Sequence, residues 1–171
     1  MFEERLKRRL RIISLWLAGL IALGSVLTPP RKSAGAGRPL LPGAAIDSRV
    51  LSIIERSCRD CHSDTTNYPW YSYIAPVSWL IEKDVHQARS HMNLSGWGQY
   101  SLDEKQDLLA DLAAAVRSRQ MPPPRYTLMH RSAKLSEPER ERIYQWARGE
   151  RRRLKSLSAK GGTSADSAAN Q

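Results

Sequence analysis

Cys58-Arg59-Asp60-Cys61-His62 holds both cysteines of this 171-residue chain, and a histidine directly follows the second of them. Two thiols three positions apart lie on one edge of a helical turn. Followed at once by histidine, they form the C-x-x-C-H pattern of c-type haem attachment. The thiols can form thioether bonds to two porphyrin vinyl groups, and the next residue can bring an imidazole under the iron, a standard way of holding it. The pattern predicts one covalent haem c on Cys58 and Cys61, with His62 as an iron ligand.

Three other readings of the cysteines stand beside this one. An exported chain with two cysteines normally pairs them in a disulfide. A thioredoxin-like redox pair would need a βαβ surround, and none is legible. A zinc module would join Cys58 and Cys61 to His86 and His91. The gap from Cys61 to His86 is far longer than the usual finger spacer of about 12–15 residues.

The formal net charge is +10, which first suggests nucleic acid. Its distribution argues otherwise. Residues 1–38 carry eight Lys/Arg against two Asp/Glu, and residues 148–171 carry six against two, while residues 39–147 carry thirteen of each. The middle therefore has no net basic field to hold phosphates, and no nucleic-acid partner is expected.

The N-terminus reads as a membrane signal. Arg5, Lys7, Arg8, Arg9 and Arg11 precede an apolar run from Ile12 to Leu27, which Thr28-Pro29-Pro30 stops. The run is near the short end of a membrane span, about 17–25 residues, and slightly longer than the roughly 7–15-residue core of a signal peptide. An uncleaved anchor through residues 12–27 is favoured. Cleavage near Ala34-Gly35-Ala36 would release a soluble form. Both readings leave the basic cluster in the cytoplasm and carry the rest across the membrane.

Residues 28–45, rich in Pro, Gly, Ala and Arg, read as a flexible linker. Four helices are then predicted from apolar spacing. The first starts near Ile46 and runs into the cysteine motif. The second spans Val77 to about Met92. The third spans Leu102 to about Arg119, with Ser101 and Glu104 as a capping box. The fourth spans Glu137 to about Arg151, with Ser136 and Glu139 as its box. Residues 152–171 read as a disordered basic and Ser/Ala-rich tail. No strand alternation is present, so the folded unit, residues 46–151, is expected to be an all-α bundle of three to five helices.

A haem held by one histidine usually takes a second protein ligand when its task is electron transfer, and a His/Met pair raises the potential. The candidates are Met92, Met121, Met129, His86, His91 and His130. Met121 is favoured. It follows a long helix and precedes Pro122-Pro123-Pro124, which stiffen the loop that would aim its sulfur.

Several further motifs carry a resemblance. After Cys58-Arg59-Asp60-Cys61-His62-Ser63 come Tyr68-Pro69-Trp70-Tyr71-Ser72, Ile74-Ala75-Pro76-Val77-Ser78-Trp79-Leu80, Asn93-Leu94-Ser95-Gly96-Trp97 and Met121-Pro122-Pro123-Pro124-Arg125-Tyr126. In this order they resemble the bacterial haem-binding domain family, small and cytochrome c-like, over roughly residues 45–148. The resemblance implies a periplasmic, membrane-tethered c-type haem domain, with Cys58 and Cys61 as thioether sites and His62 as the proximal ligand. Met121-Pro122 is similar to the methionine loop before the last helix of class I cytochromes c.

The expectation is therefore a single-pass protein of the bacterial inner membrane, its haem domain in the periplasm, passing electrons to and from an unidentified redox partner. Trp70, Trp79 and Trp97 are the expected walls of the haem pocket. A haem-based sensor with a displaceable sixth ligand is the main alternative. An enzyme such as a peroxidase is less favoured, because no distal histidine–arginine pattern is evident.

Overall fold

A computed structural model describes residues 2–26 and 37–168, with side chains as far as residue 159. Among the described residues every regular element is helical. In chain order these are α1 (Phe2–Val26), α2 (Ser48–Ser57), α3 (Arg59–His62), α4 (Val77–His91), α5 (Leu102–Arg117), α6 (Pro124–Met129) and α7 (Glu137–Ala168), with short 3₁₀ turns between them. The four long helices past α1 are those expected from apolar spacing. The first of them, expected to run into the cysteine motif, is divided at Cys58 into α2 and α3, and the short α6 was not expected.

The starts follow from capping chemistry. Asp47 is the N-cap of α2 and accepts from the Arg49 and Val50 amides. Ser101 and Glu104 form the complete reciprocal box at α5. At α7 the box is altered: Glu139 Oε2 accepts from both the Ser136 amide and its hydroxyl, each at 2.8 Å.

Helix α2 buries Val50, Ile53, Ile54 and Ser57, the i, i+3, i+4, i+7 stripe of a helix with one face in a core. Helix α5 buries Leu109, Leu112, Ala113 and Val116 against Ile143, Ala147 and Leu154 of α7, the most extensive helix pair among the described residues. Trp97, from a 3₁₀ turn, is 1% exposed in the same core.

Two boundaries differ from expectation. The segment read as a linker is partly packed. Leu40 and Leu41 are buried, the Leu41 amide donates to the Leu94 carbonyl at 2.9 Å, and Trp146 Nε1 donates to the Ala45 carbonyl at 2.9 Å. The two leucines outweigh the local Pro/Gly signal because the core offers them burial. Helix α7 also continues beyond the predicted stop near Arg151, since no Pro intervenes there and Leu154 still has a core to fill. The candidate cleavage site at residues 34–36 lies outside the described residues.

Candidate functional site

Cys58 stands where α2 gives way to α3. Its amide still donates to the Ile54 carbonyl at 2.8 Å, and its own carbonyl accepts from the His62 amide at 3.0 Å. One helical turn thus carries Cys58, Cys61 and His62, and all three line a single cavity of about 650 Å³. Ligand pockets usually span about 300–1,000 Å³. Its walls are mainly apolar, with Ile54 from α2, Val85 from α4, Leu112 and Val116 from α5, and Leu135 before α7. Met121 lines the same cavity from the loop after α5.

His62 is fixed by a backbone partner. Its Nδ1 lies 2.9 Å from the Met92 carbonyl oxygen. A carbonyl only accepts, so Nδ1 carries the proton and Nε2 keeps a free lone pair. Metal-binding histidines are usually oriented this way. Burial lowers the His62 pKa below its ordinary value, against the opposing effect of the Met92 contact. The imidazole is therefore neutral at pH 7, the form that coordinates a metal.

The two thiols are unbridged. Burial pushes Cys58 up to about 12, helped by the neighbouring Cys61, and pushes Cys61 up to about 11, helped by Asp60 and Asp84. Redox-active C-x-x-C thiols have depressed values instead, so the surroundings argue against the thioredoxin-like reading. The zinc reading also loses support: among the described residues no three His, Cys, Asp or Glu side chains gather as a metal site. His86 lies exposed on α4 and does not line the cavity.

Polar contacts brace the motif from several sides. Arg89 of α4 donates to the Ser63 carbonyl and to Thr66 Oγ1, both at 2.7 Å. Asp60 accepts from Tyr126 of α6 at 2.9 Å. The Tyr71 hydroxyl and His130 Nε2 are hydrogen-bonded at 2.7 Å, and the His130 ring stacks on Tyr126 with centroids 4.3 Å apart. Asp60, Tyr71, Tyr126 and His130 all line the cavity, and the sequence reading gave none of them a joint role. Only His130, a candidate ligand, and Tyr71, within the Tyr68–Ser72 motif, were marked in the sequence.

The tryptophans expected in the pocket walls lie elsewhere. Trp97 is in the hydrophobic core, while Trp70 and Trp79 are 75% and 53% exposed, and none of the three lines the cavity. Aliphatic side chains of α2, α4 and α5 supply the walls instead. Of the other ligand candidates, Met92 is buried and offers its carbonyl to His62. His91 is exposed and 3.6 Å from Asp111, and Met129 is exposed at the rim.

One polar atom is left without a partner in this apolar setting. Ser57 Oγ is buried, lines the cavity and makes no hydrogen bond among the described residues. Such an orphan is costly unless a bound group satisfies it. A large flat apolar group with peripheral polar atoms fits the cavity, the orphan hydroxyl, the paired thiols and the free imidazole nitrogen together.

Residues 23–149 match the family described as haem-binding domain. This chain belongs to the haem-binding domain family. The match begins inside α1 and takes in every residue of the site just described. The chain is also similar to cytochrome c peroxidase Ccp of Escherichia coli (strain K12), 30% identical over 104 residues that cover 58% of this chain and 22% of that protein. It thus spans about a fifth of the length of that relative. No solved structure matches.

Proposed function

We propose that this haem-binding domain holds one haem c covalently and serves as a membrane-tethered electron carrier on the periplasmic side of the bacterial inner membrane. The observation that carries the proposal is the convergence of Cys58, Cys61, His62 and Met121 on one apolar cavity. Cys58 and Cys61 are the thioether sites. His62, held at Nδ1 by the Met92 carbonyl, presents Nε2 to the iron. Met121 supplies the second ligand. Its amide donates to the Ala115 carbonyl at 3.1 Å and its carbonyl accepts from Arg140 at 3.4 Å, so the residue is tied to α5 and α7. The bound haem supplies one-electron chemistry. The chain orients the ligands, excludes water with aliphatic walls, and offers Ser57 Oγ as a donor. Helix α1, long and apolar enough to cross a membrane, is the anchor, and its basic start stays in the cytoplasm.

A second reading is favoured by the likeness to cytochrome c peroxidase Ccp: the domain acts on peroxide, alone or as part of a larger catalyst. Full-length protein made in a host able to attach haem separates the readings. A carrier with a tight His62/Met121 pair reacts slowly with carbon monoxide when reduced and leaves hydrogen peroxide unturned. Rapid carbon monoxide binding would favour a sensor, and catalytic peroxide consumption would favour the enzyme.

A further inference from the structure

We infer that the segment from Trp70 to Leu80 rests on the bilayer surface, so that the haem domain lies against the membrane rather than swinging free of it. This rests on the reading of α1 as an uncleaved anchor. Past α1, most of the large exposed hydrophobic side chains described fall in this one short stretch: Trp70, Tyr73, Ile74, Val77, Trp79 and Leu80. No charged residue occurs between Asp64 and Glu82. Exposed apolar clusters of this kind mark interaction surfaces, and Trp and Tyr favour the lipid–water interface, where the ring is apolar and the polar tip stays wet.

The occupant follows from what the patch adjoins. Gly24, the buried residue of α1, packs directly on it: a Cβ there would lie 3.0 Å from Ala75 Cβ and 3.1 Å from Trp79 Cζ2. The next residue locks the contact. Ser25 Oγ donates to the Ile21 carbonyl at 2.7 Å and accepts from the Ala75 amide at 3.1 Å. The patch is therefore continuous with the end of a helix whose other side chains are nearly all exposed and apolar along one span. A helix that leaves the bilayer beside Ala75 and Trp79 holds the neighbouring aromatic rings at the headgroup level. Val77 and Leu80 belong both to the patch and to the cavity lining, so one wall of the haem cavity faces the lipid.

Photocrosslinking tests this on the full-length holoprotein in vesicles of phosphatidylethanolamine and phosphatidylglycerol. p-Benzoylphenylalanine replaces Trp16, Trp70, Tyr73, Leu102 or Leu157, one at a time, all of them exposed positions. Lipid adducts are read by mass, and the haem absorbance of each variant verifies the folded site. Positions 16, 70 and 73 should give several-fold more adduct than 102 and 157. Adduct at 16 with yields at 70 and 73 no higher than at 102 and 157 overturns surface docking while leaving the anchor intact. No adduct at 16 overturns both, and absence of haem absorbance from the unsubstituted protein would tell separately against the haem reading.

Discussion

The Tyr126 hydroxyl donates to Asp60 Oδ2 at 2.9 Å. The pair joins α6, which follows the Met121 loop, to one of the two residues between the cysteines, sixty-six positions earlier in the chain. The same aspartate accepts from the Asn67 amide at 3.3 Å, and its carbonyl accepts from Thr66 Oγ1 at 2.7 Å. One acidic residue therefore links the turn carrying His62 to the helix that follows Met121.

Tyr126→Phe removes this contact and keeps the ring that stacks on His130. A hydrogen bond to a charged acceptor contributes about 1.5–3 kcal/mol, and the half-buried setting puts this one near the lower end. The variant should lose about 1.5 kcal/mol in urea unfolding. It should also bind carbon monoxide several-fold faster when reduced, because the methionine loop is less firmly held. Unchanged carbon monoxide kinetics would mean that Met121 is positioned by α5 and α7 alone.

Met121→Ala should abolish the weak long-wavelength charge-transfer band of a methionine-ligated ferric haem. The reduction potential should fall by on the order of 0.1 V, within the roughly 0.8 V span that axial ligation sets. Survival of the band would assign the ligand to another side chain at the cavity, with Met129 the first to test.

Glu139 gives a pH signature outside the site. Its carboxylate accepts from the Ser136 amide and from Arg56 at 2.8 Å, which hold its pKa down to about 2 from the ordinary 4.5. The folded state thus binds the proton less readily than the unfolded chain. The stability from this group is complete above about pH 4.5 and is lost as pH falls toward 2. Glu139→Gln should cost about 1 kcal/mol at pH 7, the usual worth of a helix cap with a solvent-screened ion pair. Paired urea titrations of the two proteins should converge as the pH falls from 4.5 toward 2. A constant gap would remove the carboxylate from the account.

Trp97→Ala should cost about 3–5 kcal/mol, as large aromatic truncations in a core do. The haem spectrum of its folded fraction should stay unchanged, since the indole does not line the cavity. Trp70→Ala should shift stability by no more than about 0.5 kcal/mol, as exposed substitutions do. Chemical unfolding followed both at the haem and by far-UV signal distinguishes the two.

The features legible in the sequence were those set by local spacing. Cys58, Cys61 and His62 share one turn, so their convergence needs no tertiary knowledge. The Ser101–Glu104 box and the Ser136–Glu139 pair each join residues three positions apart. The place of Met121 on the cavity was marked in the sequence by the three prolines that directly follow it. The destinations of the tryptophans were not, because the same ring can face core, cavity or lipid and only long-range packing decides. Trp97 went inward with Leu94, and Trp79 went to Gly24 of α1. The Met92 contact to His62 was hidden for another reason: a backbone carbonyl leaves no mark on the identity of its residue. Asp60 and Tyr126 stayed hidden because their pairing depends on how α6 folds back over α3.

The central claim is the covalent grip of Cys58 and Cys61 on a haem whose iron His62 holds. Intact mass of the full-length protein, made with haem-attachment machinery and measured after denaturation in acid, tests it most directly. The account predicts a chain heavier by one haem, with both thiols blocked to alkylation, and loss of that added mass in the Cys58→Ala, Cys61→Ala double variant. A chain of unmodified mass with two alkylatable thiols, or with the two sulfurs joined to each other, would contradict it.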